Sequence, residues 1–256
     1  DSDWMDLLND SRFGRIRDLR RNLTHIHLSG KLANLVYSMD ATNTDFYAYQ
    51  YKPVLSYLES PSKGILIADE VGLGKTIEAG IIWTEIRARF DARRLLVVCP
   101  AMLREKWKSE LAIRFGISAE ILDARELYDF LKKDRQAIPD GKAIICSVQG
   151  IRPPKGWNNE AELGDNPRVA LAKYLDNKCD EEPIVDMTII DEAHYMRNPG
   201  SQNFTLGKLL RGISDGLVLL SATPVNLSND DLYYLLNLAD PDSFGVKSVF
   251  PQVLKA

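Results

Sequence analysis

Apolar residues gather into short unbroken runs, separated by stretches in which they recur at helical spacing, and the two kinds of segment alternate along most of the chain. Runs at Ile65–Ala68, Leu95–Cys99, Ala143–Ser147, Pro183–Ile190 and Leu217–Leu220, with a shorter one at Glu120–Leu122, read as strands. Between them the periodicity predicts helices over Phe46–Leu58, Lys75–Phe90, Leu103–Phe115, Arg125–Lys133, Asn203–Leu210 and Asp230–Leu238. Strands that are apolar throughout and alternate with helices predict an α/β fold, a parallel sheet covered by helices on both faces.

Three regions depart from this rhythm. In residues 1–45, Phe13, Ile16, Leu19, Leu23 and Ile26 recur at helical spacing with arginines between them, which predicts a helical N-terminal extension packed on the rest. Residues 151–183 hold Pro153, Pro154, Gly156, Gly164 and Pro167 around one predicted helix, Val169–Asn177, and read as an insertion or long surface loop. Residues 242–256 show no clear element and read as the start of a connection to a further domain.

The strand Ile65–Ala68 leads through Asp69-Glu-Val-Gly-Leu-Gly-Lys-Thr76 into a helix, the layout of a phosphate-binding loop. Side chains at Gly72 and Gly74 would hold the backbone N–H groups away from a polyphosphate. Lys75 is placed to reach the β- and γ-phosphates, Thr76 to offer its hydroxyl to magnesium, and the helix N-terminus adds positive charge. The full loop pattern asks for glycine five residues before Gly74, where this chain has Asp69. A chance match on a surface turn is the competing reading.

A second strand, Pro183–Ile190, delivers Asp191-Glu192-Ala193-His194 at its carboxyl end. In P-loop enzymes a carboxylate at the end of a neighbouring strand holds magnesium, so Asp191 fits the metal and Glu192 a general base that orients the attacking water. Acid pairs at strand ends are often solvated turns, and the pairing with Lys75 is what favours catalysis. A third strand ends in Ser221-Ala222-Thr223-Pro224. Polar chemistry at the carboxyl ends of three buried strands matches where open α/β sheets bind ligands.

Composition changes this picture little. The chain has 256 residues, 45% apolar and 27% charged, enough for a full core and unlike a disordered protein. Its net charge of −4 neither advertises nor excludes nucleic acid, since contacts depend on a local basic stripe. Three scattered cysteines, Cys99, Cys146 and Cys179, read as buried reduced thiols of a cytoplasmic protein, not as zinc ligands. Neither a signal-peptide pattern nor an apolar run of membrane-helix length occurs, and a chain starting at Asp1 reads as an excised or processed piece.

With these motifs the chain resembles the helicase superfamily two motors, and within them the Swi/Snf-type, RapA-like ATPases. The resemblance covers residues 46–241 and rests on Asp69–Thr76 as motif I, Cys99-Pro-Ala-Met-Leu-Arg-Glu-Lys-Trp107 as motif Ia and Cys146-Ser-Val-Gln-Gly150 as motif Ib. Asp191-Glu-Ala-His194 is motif II, and Leu219-Leu-Ser-Ala-Thr-Pro-Val-Asn226 is motif III. Asp69-Glu70 ahead of the loop resembles the translocases more than the strand-separating members, and Ala193 resembles prokaryotic sequences.

The resemblance implies a RecA-like P-loop NTPase lobe over 46–241 that binds ATP and Mg²⁺, works on duplex DNA, and faces a second RecA-like lobe whose arginines reach the γ-phosphate. It implies that Gln50 reads adenine, that His194 couples the nucleotide site to Ser221 and Thr223, and that Trp107 anchors its helix in the core. DNA phosphates would meet Pro100, Arg104, Lys106 and Lys108 in motif Ia and Ser147 and Gln149 in motif Ib. The function implied is ATP-driven movement on DNA with remodelling of bound protein, in a prokaryotic cytoplasm at the nucleoid, with the protein partner unspecified. A strand-separating DEAH-type helicase and an ATP-sensing module without turnover are the alternatives.

Overall fold

The computed structural model describes residues 48–68, 74–133, 142–159, 165–179, 182–222 and 228–250. The expected N-terminal extension over 1–45 lies outside them. Six strands, β1 (Gly64–Ile67), β2 (Leu95–Cys99), β3 (Ser118–Ile121), β4 (Lys142–Ser147), β5 (Val185–Ile190) and β6 (Ser214–Leu220), form one sheet in the order β1-β6-β5-β2-β4-β3. Every neighbouring pair is parallel. The helices are α1 (Lys52–Glu59), α2 (Lys75–Phe90), α3 (Arg104–Phe115), α4 (Ala124–Leu131), α5 (Val148–Ile151), α6 (Pro167–Lys178), α7 (Gln202–Ile213) and α8 (Asn229–Ala239).

Alternate residues of the central strands point to opposite faces, and both faces are apolar, which is why these strands show no polar alternation. On one face Val97, Ile145, Ile189 and Val218 meet α1, α2 and α3 through Val54, Ile82 and Leu111. On the other, Leu96, Ile144 and Leu219 meet α4, α6, α7 and α8 through Leu127, Leu171, Leu210 and Leu235. This is the RecA-like α/β lobe, an all-parallel sheet with helices on both faces.

Several details differ from the pattern expected of the sequence, among them β6, which starts at Ser214, three residues before its apolar run. The helix read over Phe46–Leu58 is a 3-10 turn, Ala48–Tyr51, followed by α1, which begins one residue before Pro53. Proline lacks an N–H and its ring clashes with the carbonyl four residues earlier, so it is tolerated only in the first turn. β3 starts at Ser118, two residues before the apolar run. The helix expected over Val169–Asn177 is present as α6, but its Val169, Leu171, Ala172 and Leu175 are buried, so this part of 151–183 is not a surface loop, and its start is capped by Asn166.

The amino ends of the strands are pinned. Buried Asp186, at the start of β5, accepts 2.8 Å hydrogen bonds from the N–H groups of Arg93 and Arg94, and the Arg94 guanidinium donates to the carbonyl of Ile184 at 3.0 Å. A charged residue in a central strand is thereby satisfied by backbone donors. This fixed edge lies opposite the carboxyl ends, where the candidate chemistry sits.

Candidate functional site

Gly74 caps α2 in the left-handed region, φ 95° and ψ 29°, which favours glycine. Its carbonyl accepts from the N–H of Ile77 at 2.7 Å and of Glu78 at 3.0 Å, starting the helix. A Cβ on Gly74 would stand 2.7 Å from Gln50 Nε2, so a side chain there would push that amide from its place. Gln50 is 3% exposed. The expected adenine reader and the end of the phosphate loop are therefore side by side, although twenty-four residues part them in sequence. Lys75 and Thr76 are the first two residues of α2, half-buried, where the helix dipole favours an anion. Gly72 lies outside the described residues.

Asp191 follows β5, its N–H held by the carbonyl of Val98 at 2.8 Å. Its Oδ1 accepts from the N–H of Glu192 at 2.9 Å and its Oδ2 from the indole Nε1 of Trp107 at 2.8 Å. Glu192 has φ 54° and ψ 45°, a left-handed conformation held by a residue with a Cβ. His194, in the 3-10 turn Ala193–Met196, brings Nδ1 to 3.1 Å from Glu192 Oε2. That separation suits an ion pair when the ring is protonated, and Nδ1 makes no hydrogen bond among the described residues.

The sequence places the strand carrying Asp191 beside the strand of the phosphate loop. The structure corrects this: β6 lies between β1 and β5. Ser221, just past β6, is fully buried and its N–H donates to the carbonyl of Ile67 at 3.0 Å, joining the carboxyl ends of β6 and β1. Thr223, its expected partner in coupling, lies outside the described residues.

The donors fit magnesium. Each oxygen of Asp191 takes one N–H and keeps a lone pair, and among the described residues no lysine or arginine pairs with it. A carboxylate with a threonine hydroxyl such as that of Thr76 would be the hard, sparse oxygen set that suits an ion retaining several waters. Beside them, burial and then the charge of Asp191 push the Cys99 thiol up to about 12, against a smaller lowering by Arg104, so the thiol is neutral.

The candidate DNA contacts separate into groups. Pro100 precedes a 3-10 turn, Ala101–Leu103, and only then does α3 begin, so the first amides of the α-helix are displaced from Pro100. Arg104 and Lys108, one turn apart, line an open groove of about 510 Å³ together with Glu105, Glu120 and Glu126. Lys106 is exposed and about half a turn away from them, so the three cations do not make one stripe. The Ser147 hydroxyl is engaged as the cap of α5, accepting from the N–H of Gly150 at 3.0 Å, and Gln149 is exposed. Trp107 is a core anchor, 2% exposed, but its bond to Asp191 escaped the sequence reading. The signal was there: a buried indole N–H requires an acceptor.

The SNF2-related domain family matches residues 49–256. RNA polymerase-associated protein RapA of Photobacterium profundum is 29% identical over 183 residues, which is 70% of this chain and 17% of that protein. Two solved structures share the fold. The Sulfolobus solfataricus SWI2/SNF2 ATPase core in complex with dsDNA has a TM-score of 0.56 at 20% identity, covering 83% of this chain and 39% of that one. The core domain from the same organism has a TM-score of 0.54 at 21% identity, covering 86% and 40%. The chain spans less than a fifth of that curated relative and about two fifths of each solved one.

Proposed function

The chain belongs to the SNF2-related domain family, and from that membership we propose that it is the ATP-binding lobe of a motor that couples hydrolysis of Mg-ATP to movement on duplex DNA and remodelling of proteins bound there. The observation that carries the reading is the convergence of Gln50, Gly74 and Lys75 at the head of α2, on the same carboxyl edge of the sheet as Asp191 and Glu192. In this reading residues 46–241 form the lobe, 151–183 an insertion within it, and 242–256 lead toward a second RecA-like lobe that completes the site.

Gln50 selects the base with its amide, and the loop ending at Gly74 wraps the phosphates with backbone N–H groups. Lys75 supplies a mobile cation to the β- and γ-phosphates. Thr76 and Asp191 would hold a magnesium ion, which when bound would offset the charge spreading over the transferring phosphoryl group. Glu192 orients the attacking water and accepts its proton at the carboxylate. His194, against Glu192, links that carboxylate to motif III through Ser221 and Thr223.

Support for DNA as the track comes from family membership and from the cations of α3, and phosphate contacts alone predict no preference for sequence. The partner displaced or remodelled is a protein of unspecified identity. Such a motor works at the nucleoid of a prokaryotic cytoplasm, in keeping with Ala193. Among the described residues no helix is long and apolar enough to cross a membrane.

Fluorescent-nucleotide titration of Lys75→Ala against the parent chain tests the reading. The variant is expected to lose measurable binding with its fold intact by circular dichroism. Equal affinity in the two chains would remove the phosphate-loop assignment and the proposed activity with it.

A further inference from the structure

The bond between Trp107 and Asp191 has consequences that anchoring a helix does not require. Indole is a donor only, so Asp191 Oδ2 must be the acceptor in this bond. Asp191 is thus held by two donors of different origin: its own following backbone N–H at Oδ1, and a side chain from α3 at Oδ2. The first moves with the carboxylate, and the second does not.

Trp107 is 2% exposed, so the donor end of this part-buried bond is shielded from water. Its helix is tightly seated. A Cβ on Gly80 of α2 would stand 2.2 Å from the ring of Phe115, the last residue of α3, so the two helices meet at a contact that a side chain would force apart. The same helix carries Arg104 and Lys108 into the groove described above, three residues before and one residue after the indole.

We propose that Trp107 is a positioning residue for Asp191, fixing the plane of the magnesium-holding carboxylate and tying it to the helix whose cations meet the DNA backbone. The proposal deepens the ATPase reading and rests on it. Because α3 is seated as one body against α2, a load placed on Arg104 and Lys108 by a phosphate reaches the indole and, through its bond, the Asp191 carboxylate. Groups that orient a metal ligand commonly set about 10- to 100-fold of metal affinity, which makes the effect measurable. Coupling of this kind is reciprocal: DNA that tightens magnesium binding is itself bound more tightly when magnesium is present.

Trp107→Phe keeps an apolar ring and removes the donor. Binding of a fluorescent ADP to the full chain is followed as magnesium is raised, with and without duplex DNA, beside titrations in chelator and thermal unfolding without nucleotide. The half-saturating magnesium concentration is expected to rise about 10-fold in the variant, with affinity in chelator unchanged. Duplex DNA is expected to lower that concentration in the parent and to leave it unmoved in the variant. Equal magnesium dependence in parent and variant overturns the positioning role, and a DNA effect that survives in the variant overturns the link through α3. Nucleotide binding by the parent that ignores magnesium would instead sink the ATPase reading, a separate outcome. Should the variant not fold, the indole N–H resonances of the parent's four tryptophans carry the test by nitrogen-15 labelling. One of them is expected to shift when magnesium joins the ADP-bound chain and again when duplex DNA is added, and no responding indole would overturn the proposal.

Discussion

Gln50 Nε2 lies 2.7 Å from the point a Cβ on Gly74 would occupy, so a side chain at Gly74 would displace that amide. If that amide reads adenine, Gln50→Ala should lower ATP affinity about 10-fold, the effect of roughly one or two hydrogen bonds, while GTP affinity stays unchanged. Competition titration of the two nucleotides checks this. An equal loss for both would mean that Gln50 supports the loop and does not read the base.

Glu192 combines a candidate catalytic carboxylate with a left-handed backbone, φ 54°, that disfavours any residue with a Cβ. Glu192→Gln keeps the backbone and Asp191, so nucleotide binding should persist while hydrolysis by the complete motor falls about 10²- to 10⁴-fold. Glu192→Gly should abolish hydrolysis equally and raise stability by about 1 kcal/mol, as left-handed strain is released. Steady-state phosphate release and denaturant unfolding separate the two effects. Unchanged turnover in the glutamine variant would take the general base away from Glu192, and a less stable glycine variant would show that the strain is offset locally.

Much of this was legible in the chain itself, and what was not has a physical cause. Asp191 and Ser221 directly follow β5 and β6, and Lys75 opens the helix that comes after β1, positions that local apolar runs and their polar terminators mark directly. The placing of β6 between β1 and β5 was not legible, because lateral order in a parallel sheet depends on crossovers and not on any local pattern. The helix α6 in the stretch 151–183 joins the core through Leu171 and Leu175, although the prolines and glycines before it read as loop. Periodicity gives a helix an apolar face without saying what covers it. Trp107 shows the limit most clearly: its burial follows from its composition and spacing, but its acceptor lies eighty-four residues away.

Arg104 and Lys108 share a groove with Glu105, Glu120 and Glu126, and Lys106 points elsewhere, so the contribution of α3 to DNA binding should come from two cations. Each phosphate neutralised on duplex DNA contributes a slope of about −0.9 in log K against log of salt concentration. Arg104→Ala with Lys108→Ala should flatten the slope by about 1.8, and Lys106→Ala should leave it unchanged. Fluorescence anisotropy across a salt series gives both values. A slope moved by Lys106 alone would relocate the contact to the other side of the helix.

Cys99 gives the site a pH signature. Its thiol, ordinarily near 9.0, is pushed up to about 12 in the folded chain, first by burial and then by the charge of Asp191. The folded state therefore holds this proton more firmly than the unfolded one. The corresponding stability is complete below pH 9 and is lost as pH rises from about 9 toward 12. Burial pushes Cys146 up as well, while Cys179 is only partly buried. The thiolate fraction of Cys99 should therefore be much smaller in the folded chain than in the unfolded one. Pulse alkylation with peptide mapping should accordingly label Cys179 first in the folded chain, and Cys99 and Cys146 only in denaturant. Labelling of Cys99 at the rate of Cys179 under native conditions would show that its thiol is open to solvent and that the carboxyl edge beside Asp191 is looser than the structure shows.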